Sequence, residues 1–435
     1  MKTMARHHAL TKKIRVTKPL SGVTLLSLKT PVPDVITLCG SIFAGANLSP
    51  AKNPLVAEVT ADMLDEGTDT HTREELRTKL ESAGASLSFS CLGNWMRFEA
   101  YTTKDALPTV LQVLSEELRA PAFDPSCFSV LKKRAQGILA QSAHDTTSRS
   151  ANEFLHRMYP SHHPNYEYTF REQKTYLEAL TLSQLRAFHK AHYGRGSIHL
   201  SAVGDINHVE LMTLIKKYFS SLPERSVSLP MWQSKKISTP QKHYITLPDK
   251  ASIDLMLGQR IYISRHHPDY YPLLLGIEIL GGGAFVSRLM REVREKRGLT
   301  YGIHAHLDGV EDNIDGHWYI WGTFAPALFT EGRETVLAEL RRFLRDGVTK
   351  EEVAARKEGI IGSYFVDLST TTNLSRRLIA NAEEGEEVSF IDTFTDTISR
   401  ITPSQVNQAI KKYVSLQNCT IVAAGMIDTN GKPLI

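Results

Sequence analysis

The sequence predicts an α+β fold in which one domain is written twice: two tandem α/β sandwich domains, each a mainly antiparallel sheet covered by helices. Three observations carry this expectation. "LTLSQLRAFHKAHYGRGSIHLSAVGDI" (180–206) matches "ITPSQVNQAIKKYVSLQNCTIVAAGMI" (401–427) without a gap, each copy closing on Ala-x-Gly at Gly204 and Gly425. Upstream, "RAQGIL" (134–139) answers "RKEGII" (356–361) at almost the same displacement. Finally, segments of period two and of helical period alternate irregularly along both copies, as in an α+β sandwich.

The elements follow in order. "VTLLSL" (23–28), "SLSFS" (86–90) and "MRFEAYTT" (96–103) are rich in strand formers and read as strands. "KDALPTVLQVLSEELRAP" (104–121) and "EGRETVLAELRRFLRDG" (331–347) carry an apolar helical face. Thr181 and Thr402 stand as N-caps before the repeated amphipathic helices. "PERSVSLPMWQSKKISTPQK" (223–242) is rich in Pro, Ser and Lys and reads as the linker. The expected division is therefore 1–225 for the first domain, 226–242 for the linker and 243–435 for the second.

The stretch "GGGAFVSRLMREVREKRGLTYGI" (281–303) predicts a glycine turn and then a helix. Phe285, Leu289 and Val293, with Val286 and Met290, form its apolar face, and Gly298 supplies a left-handed stop. Arg294 lies in the last turn and Tyr301 begins the next strand. A guanidinium and a phenol so placed can converge on a carbonyl oxygen or a developing oxyanion. The plainer alternative makes the arginines solvated helix-end cations and Tyr301 half-buried core.

Composition excludes several classes. The 435 residues are 42% apolar and 23% charged with a formal charge of +4, which fits a globular chain and gives no reason for a nucleic-acid partner. No run is long and apolar enough for a membrane span. Cys39, Cys91, Cys127 and Cys419 are scattered without CxxC spacing, as expected in a reducing compartment. The basic N-terminus has no apolar core after it, so the expected location is cytoplasmic, or periplasmic or organellar if a targeting segment has been removed. There is no GxSxG elbow, phosphate loop or dinucleotide fingerprint. Among histidines, His189 and His192 stand at i, i+3 on a helix without a third ligand. "SHHP" (161–164) and "RHHP" (265–268) read as exposed turns, and His304 and His306 share one strand face.

On these motifs the chain resembles a known family. "LGGGAFVSRLMREVREKRGLTYGI" (280–303) is similar to the C-terminal-half signature of the pitrilysin/insulinase-type, or inverted zincin, metallopeptidases, which include the mitochondrial processing peptidases. "GANLSPAKNPLVAEVTADMLDEGTDTHTREELRTKLESAGASLSFS" (45–90) resembles the family's first helix, turn and substrate strand, and residues 163–206 resemble the close of its first domain. The resemblance implies that Arg294 and Tyr301 hold the substrate carbonyl oxygen. It also implies that Gly281, Gly282 and Gly283 let the loop turn closely beside a peptide. A peptide would add as a strand at the edge around "SLSFS", where Ser88 and Phe89 replace the Asn-Ala pair frequent in the family.

The departure from the family is at the metal. Its H-x-x-E-H motif, two imidazole ligands and a carboxylate base, should fall on Glu58-Val59-Thr60-Ala61-Asp62. Glu58 and Asp62 occupy the ligand positions and Ala61 the base position. "ILAQS" (138–142) lacks the third carboxylate, and the second copy has Gly276 and Leu280 at the matching places. Glu58 and Asp62, one turn apart, are either a weak Mg²⁺ or Ca²⁺ site or, with Glu66, a solvated acidic stripe.

The resemblance therefore implies a non-catalytic, substrate-binding subunit of a heterodimeric zinc metallopeptidase. No cofactor is expected in this chain; zinc belongs to an H-x-x-E-H-bearing homologous partner, the two closing as a clamshell around peptide. The alternatives are a homodimer, a structural scaffold subunit with no role in proteolysis, and a self-sufficient metallopeptidase with an unrecognised metal site.

Overall fold

The computed structural model describes residues 10–225, 239–283 and 287–434. Most of the expected linker (226–238) and two members of the expected helix face, Phe285 and Val286, lie outside the described residues. The first half runs α1 (Leu10–Lys13), β1 (Arg15–Leu20), β2 (Val23–Lys29), β3 (Val35–Ile42), α2 (Val56–Asp62), α3 (Arg73–Ser82), β4 (Ser86–Leu92) and β5 (Trp95–Thr103). It continues through α4 (Leu107–Arg119), α5 (Pro125–Ser142), α6 (Thr146–Met158), α7 (Phe170–Ala179), α8 (Leu182–His192), β6 (Ile198–Gly204) and α9 (His208–Phe219). The second half opens with β7 (Lys242–Thr246), β8 (Ile253–Arg260), α10 (Tyr270–Gly281), β9 (Gly302–Asp308) and β10 (His317–Phe324). It closes with α11 (Phe329–Asp346), α12 (Lys350–Asp367), α13 (Thr371–Glu383), α14 (Phe390–Arg400), α15 (Pro403–Tyr413) and β11 (Thr420–Gly425).

Two sheets form, in the orders β1-β2-β6-β3-β5-β4 and β7-β11-β8-β10-β9. In each, one pair is parallel, β2 with β6 and β7 with β11, and the remaining pairs are antiparallel. Apart from β1, the two orders are the same topology, so the repeat in the sequence is a repeat of strand order. Thr181 and Thr402 cap their helices through reciprocal capping boxes with Gln184 and Gln405.

Two compact units hold these sheets, and each is assembled from separated segments. The first contains the described residues of Met1–Gln136, Lys174–Leu229 and Ser363–Thr395; the second those of Gly137–Gln173, Pro230–Gly362 and Asp396–Ile435. In the first unit α13, from the second sequence copy, packs on β3 and β6. Leu374 and Leu378 join Leu26, Leu28 and Val203 in one apolar cluster, while Leu25, Leu38 and Leu200 face the main core on the opposite side. Strand β2 is covered on both faces, which is why "VTLLSL" reads as a nearly continuous apolar run. In the second unit α6, from the first copy, packs on β8 and β11, with Phe154 and Met158 against Met256, Val422 and Ala424. Each sheet thus borrows one covering helix from the other sequence copy.

Candidate functional site

The sequence-predicted residues fall in both units. In the first, α2 carries the degenerate metal motif. Ala61 is 1% exposed, its methyl part of the main core, while Glu58 and Asp62 are exposed on the other side of the helix. Surrounding protein reduces the water around the Glu58 carboxyl and, with the neighbouring Asp62 charge, pushes its pKa above the usual range. Asp62 is raised in the same way by desolvation and then by Asp65, against the opposing charge of Arg134. The Cys91 thiol is pushed up to about 12, by burial first and then by Glu58 and Asp62, so it stays protonated and is a poor ligand.

These side chains do not fit the family's zinc. The motif positions offer no imidazole and no base, and among the described residues no group of three or more His, Cys, Asp or Glu is arranged to hold a metal ion. The His189–His192 pair has packing roles instead. His189 Nε2 lies 3.0 Å from the Leu118 carbonyl oxygen, and its ring stacks on Tyr193 at 4.7 Å. Burial lowers its pKa to about 4, which keeps it neutral. His192 lies against the Phe188 ring at 4.4 Å.

Strand β4 is an edge of its sheet, and it carries Ser88 and Phe89. Their side chains point to opposite faces, as a strand requires: Phe89 packs against the main core and Ser88 is exposed. On the Ser88 side lies a recess of about 410 Å³ bordered by Ser90, Arg97, Glu99, Arg376 and Glu383. Arg97 binds Glu383 through Nε at 2.9 and 3.0 Å, and Arg376 binds Glu99 at 2.5 and 2.7 Å. Sequence reasoning missed this recess because Arg376 and Glu383 arrive on α13, and no local pattern marks them as neighbours of β4.

In the second unit Gly281 ends α10 at a close approach to β9: a Cβ there would lie 2.3 Å from the Ala305 nitrogen. Gly283 adopts φ +74°, the left-handed region. Beyond it the expected α-helix is a π-helix over Met290–Glu295, with the Lys296 N–H donating to the Arg291 carbonyl at 3.0 Å. Leu289 and Val293, four residues apart and both fully buried, anchor the segment in the core. Gly298, at φ +63°, ends the segment as expected.

The cations of this segment divide by role. Arg288 is buried, forks onto Glu352 with both contacts at 2.7 Å and donates to the Gly347 carbonyl. Lys296 and Arg342 both reach Glu292, and the carboxyl pKa falls to about 2, the Lys296 hydrogen bond contributing most. Arg297 pairs with Glu331 at 3.6 Å. Arg294 is half-buried beside the buried Val293. Tyr301 is 93% exposed at the start of edge strand β9, which overturns the alternative that made it core.

His304 and His306 do share a face of β9, their rings 4.6 Å apart and bordered by Tyr319 and Trp321. Burial and the neighbouring His306 lower the His304 pKa to about 4. Of the two His-Pro turns, the second is exposed at His266 and Pro268 as expected, whereas the first buries a histidine. His163 is buried and meets Asp315 at 3.0 Å, while Asp315 also receives Arg260 at 2.9 Å. In both turns the second histidine's Nδ1 accepts the N–H two residues on, from Asn165 and from Asp269.

Comparison with known proteins decides the family. The model described as "Insulinase (Peptidase family M16)" matches residues 26–165, and "Peptidase M16 inactive domain" matches 179–360. The chain belongs to peptidase family M16. A probable mitochondrial-processing peptidase subunit beta of Schizosaccharomyces pombe is 23% identical over 443 residues, 96% of this M16 chain and 92% of its own. An uncharacterized zinc protease of Mycobacterium leprae is 25% identical over 233 residues, so the match spans 53% of this chain and about half, 52%, of that relative. Among solved structures, a peptidase M16 inactive domain from Pseudomonas fluorescens has the same fold, with a TM-score of 0.86 at 23% identity over 97% of this chain and 100% of that one. No helix among the described residues is long and apolar enough to cross a membrane.

Proposed function

We propose that this M16 chain is the non-catalytic, substrate-binding subunit of a two-chain zinc peptidase. The observation that carries the reading is the division of labour between its halves. The helix that should hold metal has a buried methyl, Ala61, where the base belongs. The second half nevertheless keeps Arg294 in the π-helix and an exposed Tyr301 just before edge strand β9. Relatives called zinc proteases, and one called a processing-peptidase subunit, support peptide hydrolysis as the reaction served.

In this reading a homologous partner supplies the zinc-bound water. Arg294 and Tyr301 donate hydrogen bonds to the scissile carbonyl oxygen, which gains negative charge as the tetrahedral intermediate forms. Their contribution is differential, larger at the oxyanion than at the ground-state carbonyl, so it belongs in kcat rather than in KM.

The test is co-purification with an H-x-x-E-H-bearing partner and assay of peptide hydrolysis by the pair. Arg294→Ala and Tyr301→Phe are each expected to lower kcat by about 10²-fold, the scale of one oxyanion donor, with assembly unchanged on gel filtration. Full turnover by both variants would make the chain a scaffold; stoichiometric zinc in the purified single chain would make it an enzyme by itself.

A further inference from the structure

Away from α2 and the Ser88 recess, the first unit has a recess of about 520 Å³ whose walls are cationic. Lys12 and Lys13 reach it from α1, Arg15 from β1, Lys29 from β2 and His208 from the first turn of α9. Helix α1 is held in place: the Thr11 N–H and hydroxyl both donate to Asp392, at 2.9 and 2.6 Å, and Ile14 is buried beside Leu374 and Leu378. The lysines therefore project from an anchored element. On the floor, buried Ser27 meets His208 Nδ1 at 2.7 Å, which fixes the imidazole.

Carboxylates do not balance this charge. Lys29 has Asp205 at 3.6 Å, but among the described residues Lys12, Lys13 and Arg15 have no carboxylate partner. Gathering four permanent cations around one cavity opposes folding by self-repulsion, and the Arg15 charge is already felt at His208, whose pKa is lowered by desolvation first and by Arg15 second. The N-terminal end of α9 adds a positive field, although its Val209 and Glu210 N–H groups are already taken by the Asn207 side chain. Nothing in the peptide chemistry above uses these residues.

We propose that this recess binds a multiply charged phosphoryl anion. The cations arrive from three directions, and a tetrahedral phosphoryl group presents acceptors in several directions where a planar carboxylate presents two. Arg15 supplies a fork suited to two phosphoryl oxygens, and the lysines act as point charges. With four permanent cations and one opposing carboxylate, the site favours a ligand carrying more than one phosphoryl group, free in solution or as the headgroup of a lipid.

Isothermal titration of the full chain with sodium tripolyphosphate and with inorganic phosphate, at low salt, tests this. One tripolyphosphate per chain is expected, bound at least about tenfold more tightly than inorganic phosphate and more weakly as salt rises. Lys12→Gln with Arg15→Gln, both exposed side chains, should weaken it at least about tenfold with Tm unchanged or raised as repulsion is relieved. Lys190→Gln with Lys411→Gln removes the same charge from exposed positions elsewhere and should leave binding intact. Flotation with vesicles containing phosphatidylinositol bisphosphate, abolished by the first pair, would support the site and assign its ligand to a lipid. Equal losses in both double variants, or no binding of either probe, would overturn the proposal.

Discussion

At the residue scale, Gly281 shows how tightly the glycine turn is tied to the sheet. A methyl group there would meet the Ala305 backbone nitrogen at 2.3 Å and its Cβ at 2.5 Å. Backbone cannot swing aside as a long side chain can, so α10 and β9 would have to separate. Gly281→Ala is expected to destabilise the protein by about 2–3 kcal/mol, the upper range for overpacking, as measured by urea unfolding. Gly298→Ala meets no neighbour within 4 Å and should be milder, its penalty being backbone strain at φ +63° alone. That Arg294 closes a helical segment and Tyr301 precedes a strand was legible, because both lie within one short motif. The bonding of Arg288 to Glu352 and of His163 to Asp315 was not, since each partner sits far along the chain and sequence periodicity carries no information about it.

At the element scale, α4 carries a liability in its core-facing side. Glu117 is 2% exposed, and its pKa is pushed up to about 9 by burial first and then by Asp65 and Glu116. The folded protein therefore keeps a proton that the unfolded chain releases near pH 4.3. Stability from this group is complete below that point and is lost as pH rises toward about 9, at up to roughly 1.4 kcal/mol per pH unit in the interval. Glu117→Gln, which keeps the shape and stays neutral, should come closest to the parent near pH 4 in chemical denaturation and exceed it increasingly toward pH 9. A constant difference across that range would show that Glu117 ionises freely in the fold.

The elements themselves were largely readable. "VTLLSL", "SLSFS" and "MRFEAYTT" are β2, β4 and β5, and "KDALPTVLQVLSEELRAP" contains α4. The helix between Gly283 and Tyr301 was expected as α and is π through Met290–Glu295. Its apolar residues recur every four positions, a spacing that fits an α-helical face and carries no mark of the wider turn.

At the scale of the whole molecule, sequence repeat and physical packing divide the chain differently. The repeat is ordered along the sequence, whereas α6 and α13 are each built into the unit of the other copy. Periodicity shows that a helix has an apolar face; it does not say which sheet that face covers. This has a measurable result for Phe154, fully buried among Met256, Val422 and Ala424. Phe154→Ala is expected to cost about 3–5 kcal/mol and, in hydrogen exchange, to accelerate amides of β8 and β11 rather than those of β2 and β3. Acceleration confined to β2 and β3 would place α6 with its own sequence copy.

The borrowed helices also set the order in which the protein can be made. During translation, β2, β3 and β6 emerge well before α13, so the first sheet waits with one apolar side bare from residue 204 until residue 371 is made. The second sheet waits in turn for β11, which is inserted between β7 and β8 and is the last of that sheet's strands in sequence. A message cut short before α13 therefore completes neither unit, and one cut between residues 395 and 425 completes the first alone.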